Sequence, residues 1–264
     1  MLRYKIKRFL HPLRLMSRRW AMLPTMEEQG YVNTRGCLHS ASTFVTRNLV
    51  AGDYLEFGVW KGDSFIKAYH SLTTIRRQHM AWLTRHPTQQ SEHGKATSHY
   101  EIWKEMKPRF IAFDSFAGLP ETGADELHEN WAKGSYACDE ERFKANISSE
   151  GVNLKDVITV PGFYDKSLTP ALKKKYNLTK AAIVNVDCDL YESTITVLDF
   201  ITDLVQQGTI LVFDDWFCYQ GRPDRGEQKA CREWLSRNPH LELIEYWREP
   251  PQPMSFIVNF KNQP

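Results

Sequence analysis

Four aspartates follow two apolar runs that have the composition of buried strands. Asp187 and Asp189 follow the run 182–186, and Asp214 and Asp215 follow the run 209–213. The 27 residues from 187 to 214 leave room for one helix and a return strand. A right-handed crossover places the ends of two such strands at one edge of a sheet. We therefore expect three or four carboxylates to converge there.

Converging carboxylates repel each other and raise one another's pKa. A hard divalent cation with oxygen ligands resolves this repulsion, which predicts Mg²⁺, Ca²⁺ or Mn²⁺ rather than zinc. The alternative is that Asp187 and Asp214 only cap the helices that follow them. The nine histidines show no spacing of metal ligands.

A second group of candidate residues surrounds a glycine turn. The segment EFGVWKGDS at 56–64 closes an apolar run and opens a helical stretch. The glycines let the backbone approach a ligand, and the start of a helix supplies unpaired N–H groups. A carboxylate at Asp114, after the second run, can accept both hydroxyls of a ribose. The predicted nucleoside-binding residues are Glu56, Gly58, Gly62, Ser64, Asp114 and Ser115.

The spacing of this turn bears on which nucleoside it binds. It reads G-x-x-x-G rather than the G-x-G-x-x-G of dinucleotide sites, and Asp63 lies within it. An acid there repels a pyrophosphate, whereas Glu56 and Asp63 suit the sulfonium and ammonium of S-adenosylmethionine. An NAD(P)-dependent oxidoreductase is the main alternative, and a plain strand–helix turn with solvated acids is another.

The elements that carry these residues alternate between strand-like and helical segments. From residue 53, short apolar runs alternate with helical stretches at 64–83, 139–147, 192–206 and 225–236. This predicts an α/β fold with a mostly parallel sheet and helices on both faces. The last two runs, 241–247 and 254–260, leave no room for a helix between them, which predicts an antiparallel hairpin at the sheet edge.

Composition limits the class of protein. Of 264 residues, 42% are hydrophobic and 25% are charged, as in soluble globular proteins, and no stretch is apolar enough to span a membrane. Residues 1–20 contain seven Lys or Arg and no acid, so the rest of the chain is net acidic and no nucleic-acid partner is expected. Five scattered cysteines and the lack of a secretory signal favour a cytoplasmic location.

The chain divides into a basic N-terminal arm at 1–33 and one domain at 34–264. Within the domain we expect a variable loop at 76–104 and a lid at 115–138. Residues 1–22 mix cations with large apolar side chains, which is typical of a peripheral contact with an anionic membrane. The alternative is that the arm packs on its own domain or on a second copy in a homo-oligomer.

Five runs of the sequence resemble the macrocin O-methyltransferase family. They are GDYLEFGVWKGDSF, FIAFDSFAGLP, VNVDCDLYESTITVLDF, ILVFDDWF and GEQKACREWL, and the resemblance covers roughly residues 34–245. It implies a class I methyltransferase (Rossmann-like) fold with a seven-stranded sheet, S-adenosylmethionine as methyl donor, and Mg²⁺ at Asp187, Asp214 and Asp215. It also implies Asp189 as the base, and we add Asp187 as a second catalytic residue.

The resemblance implies transfer of a methyl group to a hydroxyl of a small molecule. Sugars, nucleotide sugars and glycosylated metabolites with neighbouring hydroxyls all satisfy this description. A non-catalytic, methyltransferase-like scaffold held at a membrane by residues 1–22 remains a third hypothesis, although the acids at both sites are intact.

Overall fold

Seven strands form one sheet in this computed structural model, which describes residues 36–85, 107–121, 131–249, 251 and 253–261. The strands are β1 (Asp53–Phe57), β2 (Phe110–Asp114), β3 (Val157–Pro161), β4 (Ala181–Val186), β5 (Ile210–Phe213), β6 (Leu241–Arg248) and β7 (Met254–Phe260). Their order is β3-β2-β1-β4-β5-β7-β6. Strands β1 to β5 are parallel, and β7 is antiparallel to β5 and β6. The predicted sheet with its antiparallel edge hairpin is confirmed.

Seven α-helices lie within the described residues. They are α1 (Cys37–Arg47), α2 (Asp63–Arg85), α3 (Glu140–Ser149), α4 (Tyr164–Ser167), α5 (Pro170–Tyr176), α6 (Tyr191–Ile201) and α7 (Gly226–Arg237). The predicted start of α3 is confirmed, because the Asp139 side chain accepts a hydrogen bond from the Arg142 N–H. Helices α1, α4 and α5 had no counterpart in the sequence prediction.

Two predicted boundaries differ from the structure by five residues or more. Helix α6 ends at Ile201 instead of 206, because the chain turns there and the Leu204 carbonyl accepts a hydrogen bond from the Ala181 N–H at the start of β4. Residues 76–85, assigned to the variable loop, continue α2. The arm at 1–33 with its membrane-contact segment 1–22, loop residues 86–104 and lid residues 122–130 lie outside the described part.

Helices cover both faces of the sheet, which explains why β1 and β4 are buried along their whole length. Leu55 and Phe57 pack into the cluster that contains side chains of α6 and α7. Tyr54, which precedes Leu55 and points to the opposite face, packs into the cluster formed with α1, α2 and α3. Successive side chains of β1 therefore point alternately into two separate hydrophobic cores.

The order of the strands determines where a ligand can bind. From β1 the chain continues to β2 and β3 on one side, whereas β4 and β5 lie on the other. A crevice opens beyond the carboxyl ends of the strands at such a switch point. Gly58 follows β1 and Asp187 follows β4, so both predicted sites adjoin this crevice. In the described part, no helix combines the length and the apolar character that crossing a bilayer needs.

Candidate active site

The glycine turn and the first aspartate pair are in direct contact. Gly58 has a φ of +89°, and a Cβ on it would lie 1.6 Å from the Asp187 carbonyl oxygen. The Asp187 N–H donates to the Phe57 carbonyl over 2.9 Å. Position 58 therefore requires glycine both for its backbone angle and for its closeness to the neighbouring strand end. The two groups of predicted residues form one site.

Asp114 holds the glycine turn in shape. Its carboxylate accepts hydrogen bonds from the backbone N–H groups of Val59 at 2.8 Å, Trp60 at 3.2 Å and Phe116 at 2.7 Å. A carboxylate offers about four lone pairs, so little capacity is left for the two ribose hydroxyls predicted to bind there. Ser115 similarly bonds within its own loop, donating to the Gly118 carbonyl over 2.7 Å. Asp114 and Ser115 both line the cavity described below.

Glu56 lies behind the turn and is fully buried. Ser64 donates its hydroxyl to one carboxylate oxygen over 2.5 Å, and the Tyr54 hydroxyl donates to the other. Burial raises the pKa of Glu56 to about 7, while these two hydrogen bonds oppose that rise. A Cβ on Gly62 would meet the side chains of α3. Glu56, Gly62 and Ser64 thus support the turn from behind, and their predicted contact with the cofactor stays a prediction.

The acid cluster (Asp187, Asp189, Asp214 and Asp215) lies at the ends of two neighbouring strands, as predicted. The Asp214 N–H donates to the Val186 carbonyl over 3.0 Å, which joins the end of β5 to the end of β4. Burial raises the pKa of Asp187 well above its usual value, and the charges of Asp214 and Asp215 raise it further. Burial and Asp215 raise the pKa of Asp214 to about 6. The chain therefore holds like charges together at this edge.

Two members of the cluster have identified side-chain partners: the Cys218 thiol donates to Asp215 over 3.2 Å, and Asp189 interacts with Asp215 and Trp131. Burial raises the pKa of Asp189 to about 8, and the charge of Asp215 and a hydrogen bond with it add to that rise. A hydrogen bond from Trp131 acts in the opposite direction and lowers the pKa of Asp189. Asp189 has a φ of +61°, a conformation that costs non-glycine residues energy and often occurs at functional sites.

The sequence prediction did not identify Glu227, which like Glu56 is a buried carboxyl group, and which lies near the acid cluster. Only 2% of the residue is exposed, and both carboxylate oxygens are buried without a hydrogen-bond partner in the described part of the chain. Burial raises its pKa well above the usual value, with Asp215 as the largest charge contribution. The only signal in the sequence was its place in the run GEQKACREWL, which marks a helix and not a site.

A cavity of about 990 Å³ opens over the turn and the acid cluster. Aromatic side chains from separate segments form much of its wall, namely Trp60, Trp131, Tyr136, Phe163, Tyr164 and Tyr219. Trp60 packs edge-on against Tyr136 with ring centres 5.5 Å apart, and Trp131 packs against Tyr219 at 5.1 Å. Trp60, Tyr136 and Tyr219 have positive φ angles. The chain thus adopts costly backbone conformations to present these rings.

The predicted metal site is not supported by the placement of the side chains. Within residues 36–85, 107–121, 131–249, 251 and 253–261, no group of three or more His, Cys, Asp or Glu side chains is arranged to hold a metal ion. Asp187, Asp214 and Asp215 reach the same edge of the sheet, and Asp215 forms a hydrogen bond with Asp189. The raised pKa values favour protonated, mutually bonded carboxyls in this arrangement.

The fold is that of the class I methyltransferases. The structure of the O-methyltransferase NovP matches it with a TM-score of 0.59 at 22% identity, over 83% of this chain and 77% of that one. The crystal structure of CalS11, a calicheamicin methyltransferase, gives a TM-score of 0.56 at 21% identity, over 83% and 76%.

Sequence comparisons confirm the predicted resemblance to the macrocin-O-methyltransferase (TylF) family, whose model matches residues 101–231. The 8-demethyl-8-(2,3-dimethoxy-alpha-L-rhamnosyl)-tetracenomycin-C 4'-O-methyltransferase of Streptomyces olivaceus is 28% identical over 175 residues, 63% of this chain and 54% of the relative. Demethyldecarbamoylnovobiocin O-methyltransferase of Streptomyces niveus is 25% identical over 193 residues, 70% of this chain and 58% of the relative. The matches therefore span just over half the length of these curated relatives.

Proposed function

We propose that the protein transfers the methyl group of S-adenosylmethionine to a hydroxyl of a sugar-containing small molecule. The observation that carries this proposal is the contact between Gly58 and Asp187, because the glycine turn and two half-buried acids thereby line one cavity. A cavity of about 990 Å³ is at the upper end of the range for single-ligand sites, so a donor and an acceptor fit together. The O-methyltransferase relatives support the same reaction.

The turn suits S-adenosylmethionine better than a dinucleotide. A pyrophosphate needs free backbone N–H groups at the first turn. Here the Val59 and Trp60 N–H groups bond to the Asp114 carboxylate, and the Gly62 N–H bonds to the Val59 carbonyl. The nearby carboxylates favour a cationic ligand instead. These bonds weigh against the oxidoreductase hypothesis.

Gly58, Asp114 and Ser115 would hold the donor, because they lie on the cavity wall. When bound, S-adenosylmethionine supplies a methyl group made electrophilic by the sulfonium. The acceptor oxygen forms a bond to the methyl carbon as the carbon–sulfur bond breaks, and the hydroxyl proton must leave. The ionised fraction of Asp189 would receive that proton at its carboxylate. A pKa of about 8 leaves part of this group ionised near neutral pH and makes it a stronger base than an ordinary carboxylate.

Asp215 and Trp131 would position this base through their hydrogen bonds to Asp189. Asp187 adjoins the turn through its backbone and is charge-coupled to Asp189, so its predicted catalytic role is a part of this proposal. Closure of the aromatic wall over the two ligands would exclude water from the reaction.

Metal dependence is a separate and weaker proposal. The grouping of acidic residues at the strand ends favours metal binding. The arrangement of Asp187, Asp214 and Asp215 does not favour it, so the mechanism above contains no metal step. Turnover should be measured after EDTA treatment and again after adding Mg²⁺ or another hard divalent cation. Full activity after removal of the metal would end the proposal.

Several expectations from the sequence stay proposals. They are a cytoplasmic location, a membrane contact through residues 1–22, a homo-oligomer and the absence of a nucleic-acid partner. The scaffold hypothesis also remains, and methyl transfer would exclude it.

A two-step experiment tests the proposed function. Calorimetry first compares the binding of S-adenosylhomocysteine with that of NAD and NADP. Methyl transfer from labelled S-adenosylmethionine is then measured on a panel of glycosides. We expect micromolar binding of S-adenosylhomocysteine and label in at least one glycoside. Preferential binding of a dinucleotide would overturn the proposal.

A further inference from the structure

The two ends of the parallel strands carry opposite charge. The acid cluster lies at the carboxyl ends, whereas exposed lysines lie at the amino ends. Lys155 precedes β3, Lys107 precedes β2 and Lys180 precedes β4. These strands follow the order β3-β2-β1-β4. With about 4.8 Å between neighbouring strands, the starts of the three strands span about 14 Å. Cations are thus gathered at the end of the sheet opposite the cavity.

Helix α5 adds two cations to this end of the sheet. Arg109, directly before β2, donates to the carbonyl oxygens of Tyr176 over 2.6 Å and of Asn177 over 3.1 Å. These hydrogen bonds hold the end of α5 beside the start of β2. Lys174 and Lys175 lie in the last turn of α5, and both are exposed.

We call these five residues the lysine surface (Lys107, Lys155, Lys174, Lys175 and Lys180). None of them forms an ion pair with another residue in the described part of the chain. Their charges therefore stay available to a partner that carries negative charge.

The acids near the lysine surface neutralise only part of it. Asp53 is held in an ion pair by Arg109, with 2.6 Å between nitrogen and oxygen. Asp156 and Glu150 lie with Lys155 on the segment before β3, so they offset the charge at that margin. The net positive charge is therefore greatest beside β2, α5 and β4.

We infer that the lysine surface binds an anionic lipid bilayer and holds the protein with its cavity facing away from the lipid. Clusters of four to eight cations are typical of surfaces that bind anionic headgroups. The same bilayer repels the acid cluster, so both ends of the sheet favour this orientation. Leu154, beside Lys155, is 42% exposed and adds an apolar contact.

The chemistry of the lysine surface favours a bilayer over a nucleic acid. Nucleic acids are bound by arginine forks and by open aromatic faces on which bases stack. Here the guanidinium of Arg109 is already bonded to Asp53 and to the end of α5. The Tyr176 ring is half-buried, and the Lys175 ammonium lies 4.7 Å from its centre. Lysines are flexible point charges, which suit headgroups that have no fixed geometry.

The lysine surface is separate from the segment 1–22, for which a membrane contact was predicted from the sequence. Helix α1 begins at the opposite end of the sheet, where the Cys37 N–H donates to the Glu249 carboxylate over 2.5 Å. Glu249 follows β6, and β6 runs in the same direction as β5 because both are antiparallel to β7. The inference concerns where the protein binds and does not depend on the reaction it catalyses.

Co-sedimentation of the full chain with vesicles tests this inference. One set of vesicles is phosphatidylcholine alone, and the other contains phosphatidylserine as well. We expect binding to the mixed vesicles only, and the double variant Lys174→Gln, Lys175→Gln should weaken it about ten- to thirtyfold. Adding Lys107→Gln and Lys180→Gln should weaken it further. High salt should release the wild-type protein.

The matched control is the double variant Lys133→Gln, Lys144→Gln. It removes the same total charge from exposed lysines outside the lysine surface, which pair with Glu121 and Glu140. We expect it to change vesicle binding less than about twofold. Unchanged melting temperatures in both double variants would show that the substitutions alter the surface and not the fold.

Hydrogen exchange of the vesicle-bound protein tests the orientation. We expect added protection at 107–109 and 174–180, and unchanged exchange at 58–62 and 115–121 beside the cavity. Protection of the cavity side instead would overturn the orientation. Equal binding to the two kinds of vesicle, or equal weakening by the two double variants, would overturn the inference. Tighter lysine-dependent binding of polyuridylate than of mixed vesicles would also overturn it and would assign the surface to nucleic acid.

Discussion

The two halves of the cavity floor are built in opposite ways. At the turn after β1, the chain satisfies its polar groups itself: Asp114 accepts three backbone N–H groups, and Glu56 accepts two hydroxyls. At the ends of β4 and β5, burial and like charges raise the pKa values of the acid cluster. The first half is a stable support, whereas the second stores unfavourable electrostatic energy.

This difference indicates a division of labour. A donor that brings its own reactive sulfonium needs a shaped surface, and a well-bonded turn provides one. Proton transfer needs a group on the cavity wall whose pKa lies near the working pH. Glu56 has such a pKa but is fully buried behind the turn, whereas Asp189 lies on the wall. Stability and reactivity are therefore assigned to adjacent strand ends within the same cavity.

The largest effect is expected where the two halves touch. In Gly58→Ala the new methyl group would meet the Asp187 carbonyl oxygen, and the φ of +89° adds strain. We expect a loss of about 3 kcal/mol or more in unfolding free energy, or no soluble protein. Gly134→Ala is the control, because Gly134 has a φ of +79° but no atom within 4 Å of its Cβ position. Thermal denaturation measures the loss of unfolding free energy in both variants. Equal losses would contradict the role of the contact.

The second prediction concerns the base. Asp189→Asn keeps the size of the side chain but cannot accept a proton, so kcat should fall by about 10²- to 10⁴-fold. Binding of S-adenosylhomocysteine, measured by calorimetry, should change little because the support half is intact. Asp199→Asn, on the exposed face of α6, is the matched control. Retention of most of the activity in Asp189→Asn would assign the proton to another group.

The supporting half was largely visible in the sequence. The alternation of apolar runs predicted the sheet, and the run that ends before Gly58 placed that residue at the carboxyl end of a strand. The glycine at 58 was recognised as a close approach, and the contact that the structure shows is with the Asp187 carbonyl. Local patterns sufficed because strands and their ends are set by nearby residues.

The strained half was only partly visible. Its four aspartates could be placed because each pair follows a strand, but their mutual hydrogen bonding depends on side-chain rotamers that spacing does not determine. Trp131, Tyr136 and Tyr219 reach the wall from irregular segments with positive φ angles or tight turns. Such segments have no periodicity, and their conformation depends on tertiary contacts such as that between Gly226 and the Tyr219 ring.

The third prediction concerns pH, to which both halves respond, because folding also raises the pKa of Glu56 to about 7. Folding raises the pKa of Asp189 from 3.8 to about 8 and that of Asp214 from 3.8 to about 6. The folded state therefore binds these protons more tightly than the unfolded state. Their contribution to stability is full below about pH 4 and is lost as the pH rises through 6 to 8.

We expect the melting temperature of the ligand-free protein to fall by about 5 °C or more between about pH 5 and about pH 8.5. Asp189→Asn should make this fall smaller but not remove it, since an amide does not titrate and Glu56 and Asp214 remain. Calorimetric scans across this range check both statements. A wild-type melting temperature that does not change over this pH range would show that charge repulsion within the acid cluster does not destabilise the folded protein.

The smallest effect compares two buried glutamates, one in each half. Glu56 accepts hydrogen bonds from Ser64 and Tyr54, so Glu56→Met should leave buried donors without an acceptor and cost about 1 to 3 kcal/mol. Glu227 has no hydrogen-bond partner among the described residues and faces the like charges of the acid cluster. Glu227→Met should therefore raise the melting temperature at pH 7.5 by about 2 to 4 °C.

The position of Glu227 in the first turn of α7 offsets part of this gain, because a carboxylate there interacts favourably with the helix dipole. The gain should be larger at high pH, where the cluster is more fully ionised, and should vanish at acid pH. Equal losses in the two variants would mean that Glu227 is stabilised as firmly as Glu56. The unfavourable electrostatics would then be confined to the acid cluster and would not include Glu227 on α7.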